Sequence, residues 1–185
     1  EVHEETAAVA RQLVAGLGQA GTVEVGDFLA TTATPAFDAV VGNPPYIRYQ
    51  GFTGEARARG LSAALAQGVR LSKLASSWAP FVVHAAGYLK PEGRLALVLP
   101  AELLASNYAS EVRDFLLRRF ASIRVVLFGR HVFPGVQTEA LLLLAEGTGG
   151  TRAVRFATVD DVSRLDAVAF DTLLDVGAGE RWTAA

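Results

Sequence analysis

The sequence predicts an α/β fold with a mostly parallel sheet. Helical segments and apolar, strand-like segments alternate through most of the 185 residues, as they do in chains whose strands are joined by crossover helices. The segment 37–41 is almost wholly apolar, as a strand covered on both faces should be. Segments 123–128 and 139–145 are joined by a loop alone, so we expect them to be antiparallel neighbours at one edge of the sheet.

Each element follows from a local pattern. Apolar residues at helical spacing predict helices over residues 5–17, 78–88 and 111–120. Short apolar or β-branched runs predict strands at residues 22–25, 37–41, 94–99, 123–128, 139–145 and 153–157. Residues 50–71 are polar and rich in alanine, which indicates a loop with some helix. The Lys-Pro-Glu-Gly sequence at 90–93 predicts a turn.

The composition narrows the classes of site and location. About half of the residues are apolar, which is enough for the core of one ordinary domain. The chain has no Cys and only three His, so we expect neither disulfides nor a metal site. Its apolar runs are too short to span a bilayer, and its first residues lack the basic and apolar regions of a secretory signal. We therefore expect a cytoplasmic protein without a membrane partner.

The charges are unevenly distributed along the chain. The net charge of −2 does not indicate a nucleic-acid-binding protein. Between residues 48 and 73, however, there are five cationic residues and a single acidic residue, Glu55. The cations are Arg48, Arg57, Arg59, Arg70 and Lys73. This stretch is interpreted equally well as a solvated face or as a loop that contacts phosphates.

A rigid turn follows the predicted strand at 37–41. It consists of Asn43, Pro44, Pro45 and Tyr46 and is called here the Asn-Pro-Pro-Tyr turn. Each proline fixes its own φ and restricts the residue before it, and ligands of open α/β sheets bind at the carboxyl ends of strands. The side-chain oxygen of Asn43 and the carbonyl of Pro44 can each accept one N–H of an amino group, while Tyr46 can stack on the attached ring. The turn thus predicts a site for a planar amine.

Residues 40–48 resemble the catalytic signature of class I S-adenosylmethionine-dependent amino-methyltransferases that act on DNA adenine. The resemblance is closest to the restriction-modification branch that includes the TaqI and Eco57I types, and it covers roughly residues 1–146. It implies a Rossmann-like sheet, S-adenosylmethionine as cofactor and double-stranded DNA as partner. It also implies that Asn43 and Pro44, held in the turn with Pro45, bind the N6 amine of a flipped-out adenine on which Tyr46 stacks.

Further resemblances suggest how the cofactor and the base are held. Asp27 resembles the family's acceptor for the cofactor's adenine amino group, and Phe28 the residue that packs on that ring. Asp27 is also a common type of turn or helix-capping residue. Glu1 resembles the carboxylate that binds the ribose hydroxyls, and Asn43 belongs to both the cofactor and the target side. Phe133, in the segment 131–138, resembles the aromatic residue that packs on the flipped base opposite the tyrosine, although a core position is the alternative.

The resemblance also suggests how the chain is organised. We expect a partial methyltransferase core over residues 1–146 and, over residues 147–185, an extension toward a target-recognition domain or subunit outside this chain. The family begins with a strand and a Gly-rich loop, and nothing like them precedes Glu1. We therefore expect the N-terminal strands to be missing. On its own, this chain should bind S-adenosylmethionine weakly or not at all and should have little activity.

Three other functions share some of these features. Protein-glutamine methyltransferases of the release-factor type carry the same tetrapeptide, because a carboxamide NH2 needs the same two acceptors. Methyltransferases of RNA bases usually have Phe in place of Tyr46. A non-catalytic methyltransferase-like module that binds DNA is the third alternative, and the intact Asn-Pro-Pro-Tyr turn argues against it. The loop of Phe133 and the long segment 50–71 favour DNA adenine as the substrate.

Overall fold

The computed structural model describes residues 2–18, 20–129, 139–160 and 162–183. The chain divides into two compact units, residues 1–32 and residues 33–185. Across the described residues, every helix is too short or too polar to cross a membrane.

The first unit is built on one helix. Helix α1 spans Glu4–Gly16, as predicted, with two acidic residues in its first turn, where they favour the positive end of the helix dipole. A short 3-10 turn, Phe28–Ala30, follows. The strand predicted at residues 22–25 is wrong, since those residues have no regular structure. A strand needs a partner to complete its hydrogen bonds, and the described part of this unit contains no second strand.

The second unit contains a six-stranded mixed sheet. Its strands are β1 Phe37–Gly42, β2 Leu89–Pro100, β3 Ser122–Phe128, β4 Ala140–Glu146, β5 Ala153–Val159 and β6 Thr172–Asp175. They lie in the order β1-β2-β4-β3-β5-β6. The pairs β1/β2 and β3/β5 are parallel, whereas β2/β4, β3/β4 and β5/β6 are antiparallel. The α/β class is therefore confirmed, but a mostly parallel sheet is not.

Strand β4 lies inside the sheet, between β2 and β3. It is antiparallel to both neighbours, so the predicted antiparallel pairing of β3 with β4 is confirmed. The predicted edge position is wrong. The run of four leucines in β4, residues 141–144, explains the interior position, because a strand with neighbours on both sides has apolar residues in succession.

Strand β2 begins before the predicted turn. Phe37 pairs with Leu89 and Ala39 with Arg94, so one residue of β1 lies opposite the four residues 90–93. The Lys-Pro-Glu-Gly sequence was predicted to form a turn before the strand. It instead forms a bulge within β2. Pro91 cannot donate a ladder hydrogen bond, which is compatible with a bulge and not with regular pairing.

The second unit also contains α-helices. They are α2 Gly54–Ala66, α3 Trp78–Ala86, α4 Glu102–Ala105 and α5 Ser110–Arg119. Helix α3 packs against β2, α2 and α5, and nearly all of its residues are buried. Alternate residues of the central strands complete this core, namely Leu95, Leu97, Leu99, Leu141 and Leu143. The helices predicted over 78–88 and 111–120 correspond to α3 and α5.

Strand β1 is an edge strand of the second unit's sheet. Phe37 is 53% exposed and Val41 is 77% exposed, so the expectation of a strand covered on both faces is wrong. Among the strands of the described residues, β1 has β2 as its only neighbour. The Asn-Pro-Pro-Tyr turn therefore begins at the carboxyl end of an accessible strand.

Candidate active site

The Asn-Pro-Pro-Tyr turn follows β1 directly, since the strand ends at Gly42. Asn43 is exposed, Pro44 is buried and Tyr46 is half-buried. The described residues contain no cis peptide bond, so both prolines continue the chain in the trans form. The buried Pro44 anchors the turn, while the exposed amide of Asn43 is available to a bound group.

Ser77, at the start of α3, holds the far side of this turn. Its backbone N–H donates to the carbonyl of Ile47 at 2.9 Å. Its hydroxyl donates to the carbonyl of Pro45 at 2.5 Å and accepts from the N–H of Ile47 at 2.9 Å. The residues on either side of Tyr46 are thereby fixed to the start of a buried helix.

The hydroxyl of Tyr46 points away from solvent. Its Oη is buried and has no hydrogen-bond partner among the described residues. Burial raises the pKa of Tyr46 from the usual 10.0 to about 12, so the phenol is neutral at physiological pH. The exposure of this residue comes from its other atoms, which leaves the ring accessible for stacking.

A second polar cluster follows the carboxyl end of β2, the neighbour of β1. The hydroxyl of Tyr108 donates to Glu102 in a very short hydrogen bond and accepts from Nε1 of Trp78 at 3.1 Å. The rings of Trp78 and Tyr108 lie 6.0 Å apart at an angle of 51°. Burial first, and the bond to Glu102 second, raise the pKa of Tyr108 to about 12. Since Trp78 follows Ser77, this cluster fixes the start of α3.

These two tyrosines make stability sensitive to alkaline pH. A folded-state pKa of about 12 exceeds the usual 10.0, so the unfolded chain loses its phenolic protons first as pH rises. The stabilisation that comes from keeping both phenols neutral in the folded state is therefore complete below pH 10, and it is lost as the pH rises through about 12. We expect an absorbance titration at ~295 nm to contain a late phenolate component. Tyr46→Phe and Tyr108→Phe should each reduce that component, and an unchanged titration in the double variant would contradict the assignment.

The proposed cofactor residues of the first unit are Asp27 and Phe28, both half-buried. Asp27 Oδ1 accepts from the N–H of Leu29 at 3.0 Å and so caps the 3-10 turn. The capping interpretation is thus observed, and it leaves the carboxylate next to an aromatic ring in sequence. A carboxylate and a neighbouring ring fit an adenine, which offers an amino group and a flat face. Glu1 and Phe133 lie outside the described residues.

The cations of residues 48–73 fall into two groups. Arg57 donates to the carbonyls of Tyr49 and Phe52 at 3.4 and 3.1 Å, and Arg59 forms a 3.1 Å ion pair with Glu55. The other three are exposed and form no ion pair within the described ranges, and they are Arg48, Arg70 and Lys73. Among the described residues, the second group therefore carries charges with no counter-ion, whereas Arg59 is paired with Glu55.

Three polar residues near the turn were not predicted from the sequence, namely Ser77, Tyr108 and Glu102. A serine before a helix is a common capping signal, but nothing in the local sequence indicates its contact with a turn 30 residues earlier. Glu102 lies just after the end of β2, a position at which ligand-binding residues are common. Within the described residues, no three His, Asp or Glu side chains are placed to hold a metal ion.

Comparison with known proteins places this geometry in a family. A model of the Eco57I restriction-modification methylase family matches residues 19–133, more than half of the chain. Type II methyltransferase M.XamI of Xanthomonas campestris pv. amaranthicola is 27% identical over 169 residues, covering 88% of this chain and 32% of that protein. M.AccI of Acinetobacter calcoaceticus is 23% identical over 147 residues, covering 77% and 27%. The chain thus spans about a third or less of the length of these relatives.

Solved structures agree on the fold. A methyltransferase subunit of a type I restriction-modification system from Streptococcus thermophilus superimposes with a TM-score of 0.63 at 23% identity, covering 85% of this chain and 35% of that one. At this identity the likeness concerns the fold alone. It supports the mixed α/β fold.

Proposed function

Since the chain belongs to the Eco57I restriction-modification methylase family, we propose that it methylates the N6 amino group of adenine in double-stranded DNA, with S-adenosylmethionine as the methyl donor. The observation that carries the proposal is the Asn-Pro-Pro-Tyr turn at the carboxyl end of β1, with its exposed Asn43 amide. The target adenine must leave the duplex to reach this turn, because a catalytic site cannot reach the N6 amine while the base is stacked in the duplex.

The residues of the turn have separate roles in this proposal. The side-chain oxygen of Asn43 and the carbonyl of Pro44 each accept a hydrogen bond from one N6–H, which directs the nitrogen lone pair at the incoming methyl group. One N6 proton leaves once the new N–C bond has formed. Tyr46 stacks on the flipped base, with Phe133 on its other side, and Pro45 keeps the turn rigid. No covalent enzyme intermediate is needed, because the chain contributes mainly position and two correctly placed acceptors.

Asp27 and Phe28 fit the cofactor's adenine by their chemistry. The Asp27 carboxylate accepts from the adenine amino group, and Phe28 packs against the ring, while Glu1 binds the ribose hydroxyls. When bound, S-adenosylmethionine supplies an electrophilic methyl group.

We propose residues 1–146 as the partial catalytic core and residues 147–185 as the extension toward target recognition. Strands β5 and β6 of that extension continue the sheet beyond β3, so its first part adds to the core. The relatives are about three times as long as this chain or longer, which leaves room for a target-recognition domain elsewhere in the protein.

The three unpaired cations Arg48, Arg70 and Lys73 are the proposed phosphate contacts. Replacing all three with Ala in the complete protein should weaken DNA binding and flatten its salt dependence. The slope of log K against log salt should fall by roughly 2 to 3, since each phosphate contact contributes about 0.9. Binding measured across a salt series checks this. Arg59→Ala is the matched control, because Glu55 already neutralises that cation; an unchanged slope in the triple variant would overturn the phosphate role.

The function itself is tested by identifying the methylated product. The complete protein is incubated with S-adenosylmethionine and unmethylated duplex DNA, and the digested nucleosides are analysed by mass spectrometry. N6-methylated deoxyadenosine is the expected product. A methyl group found on a protein glutamine or on RNA would move the substrate to one of the alternatives. Cofactor and DNA binding without any methylation would favour the non-catalytic module.

A further inference from the structure

Ser77 makes an unusual use of its hydroxyl. The residue is 1% exposed and stands immediately before α3, where a serine side chain normally caps the helix. Here its side chain makes no capping hydrogen bond, and its φ and ψ, −58° and −33°, are already helical. The hydroxyl instead bonds twice to the Asn-Pro-Pro-Tyr turn, donating to Pro45 and accepting from Ile47.

These two bonds bracket Tyr46. The carbonyl of the residue before it and the N–H of the residue after it are both held by one oxygen atom, Oγ of Ser77. The hydroxyl of Tyr46 has no hydrogen-bond partner among the described residues. The Ser77 hydroxyl therefore fixes the backbone on both sides of Tyr46, from which the ring projects.

The support behind Ser77 is rigid. Trp78, the next residue, is fully buried and donates to Tyr108, whose hydroxyl bonds to Glu102. The backbone N–H of Ser77 also bonds to the carbonyl of Ile47, a contact that survives any side-chain replacement. Loss of the hydroxyl would thus leave the turn attached to α3 at Ile47 while freeing the Pro45 carbonyl and the Ile47 N–H.

We propose that Ser77 is a positioning residue for methyl transfer, an inference that rests on the proposed function. Its hydroxyl holds residues 45–47 so that the Tyr46 ring and the preceding Pro44 carbonyl face the target base. Displacement of a positioned group by ~1 Å can slow a reaction about 100-fold. Affinity for DNA, in contrast, comes largely from phosphate contacts and should change much less than the rate of transfer.

The test separates the rate of transfer from binding in the complete protein. Ser77→Ala should slow single-turnover methylation at least about 10-fold, whereas its dissociation constants for DNA and S-adenosylmethionine should stay within about twofold of wild type. Ser77→Thr keeps the hydroxyl and should recover most of the rate. Ser110→Ala is the matched control, because Ser110 also begins a helix and donates to a backbone carbonyl, that of Asn107 at 2.8 Å. A folded Ser77→Ala variant with the wild-type rate overturns the proposal.

A second readout does not depend on activity. The amide of Ile47 should exchange with solvent faster in Ser77→Ala than in wild type, and Ser77→Thr should restore its protection. Ser77→Cys, which keeps the size but bonds weakly, serves if the Ala variant fails to fold. If wild type methylates no adenine yet Ile47 exchange responds as expected, the proposed function fails while the anchoring of the turn stands. Unchanged exchange in both Ala and Cys variants overturns the anchoring itself.

Discussion

Arg113→Met is expected to lower the free energy of unfolding by roughly 3–5 kcal/mol, since three carbonyls lose a hydrogen-bond donor and each buried acceptor left unsatisfied costs about 1–3 kcal/mol. Arg113 lies on α5 with 1% of its surface exposed. Its guanidinium donates to the carbonyls of Leu103 at 3.0 Å, Ser106 at 2.9 Å and Glu180 at 2.7 Å. Burial lowers the pKa of Arg113, and these carbonyls compensate the buried charge. Methionine fills similar space without donating, so three carbonyls lose a partner.

The loss should be concentrated at the C-terminal segment, residues 176–183. Besides the bond from Arg113 to Glu180, two backbone N–H groups attach this segment. The backbone N–H of Trp182 donates to the carbonyl of Leu104 at 2.9 Å, and that of Gly179 donates to the Asp114 carboxylate at 2.6 Å. Trp182 is buried on the same side. We therefore expect faster proteolysis of residues 176–183 in Arg113→Met before the sheet unfolds.

Urea unfolding of wild type and variant measures the effect. Arg118→Met is the matched control, because Arg118 is exposed on the same helix and its replacement should change stability by no more than about 0.5 kcal/mol. A loss below about 1 kcal/mol in Arg113→Met would mean that water replaces the guanidinium without cost, which contradicts its structural role.

Local periodicity predicted most elements of the fold, whereas strand pairing had to come from the structure. Helices α1, α3 and α5 and five strands lie close to their predicted positions, because each is marked by a run of apolar residues. The interior position of β4 and the exposure of β1 were not predicted, since both depend on which strands become neighbours. The segment 22–25 shows the same limit, because a β-branched run forms a strand only where a partner is present.

The site divides in the same way. The Asn-Pro-Pro-Tyr turn was predicted as a site because its chemistry is contained in four consecutive residues after a strand. Ser77 and Tyr108 were not predicted, because their roles depend on contacts with residues 30 positions away in the chain. Asp27 lies between these cases: the sequence suggested both a capping and a cofactor role, and the cap to Leu29 is the role that its contacts display.

Asn43→Ala is expected to reduce methylation of adenine by at least about 100- to 1,000-fold, the usual cost of removing one hydrogen-bonding group aimed at developing charge. The side-chain oxygen of Asn43 is one of the two proposed acceptors for the N6 protons. Without it the amine is held by the Pro44 carbonyl alone and can rotate away from the line of transfer. Because Asn43 is exposed and lies outside the core, the variant should remain as stable as wild type.

Single-turnover methylation with excess complete protein measures this effect apart from product release. Gln50→Ala is the matched control, since Gln50 is an exposed amide side chain shortly after the same turn and has no proposed role. Asn43→Ala should bind DNA as tightly as Gln50→Ala, because the phosphate contacts are intact in both. A rate within about tenfold of wild type would mean that the Pro44 carbonyl and stacking by Tyr46 are sufficient for methyl transfer. The two-acceptor mechanism would then be wrong.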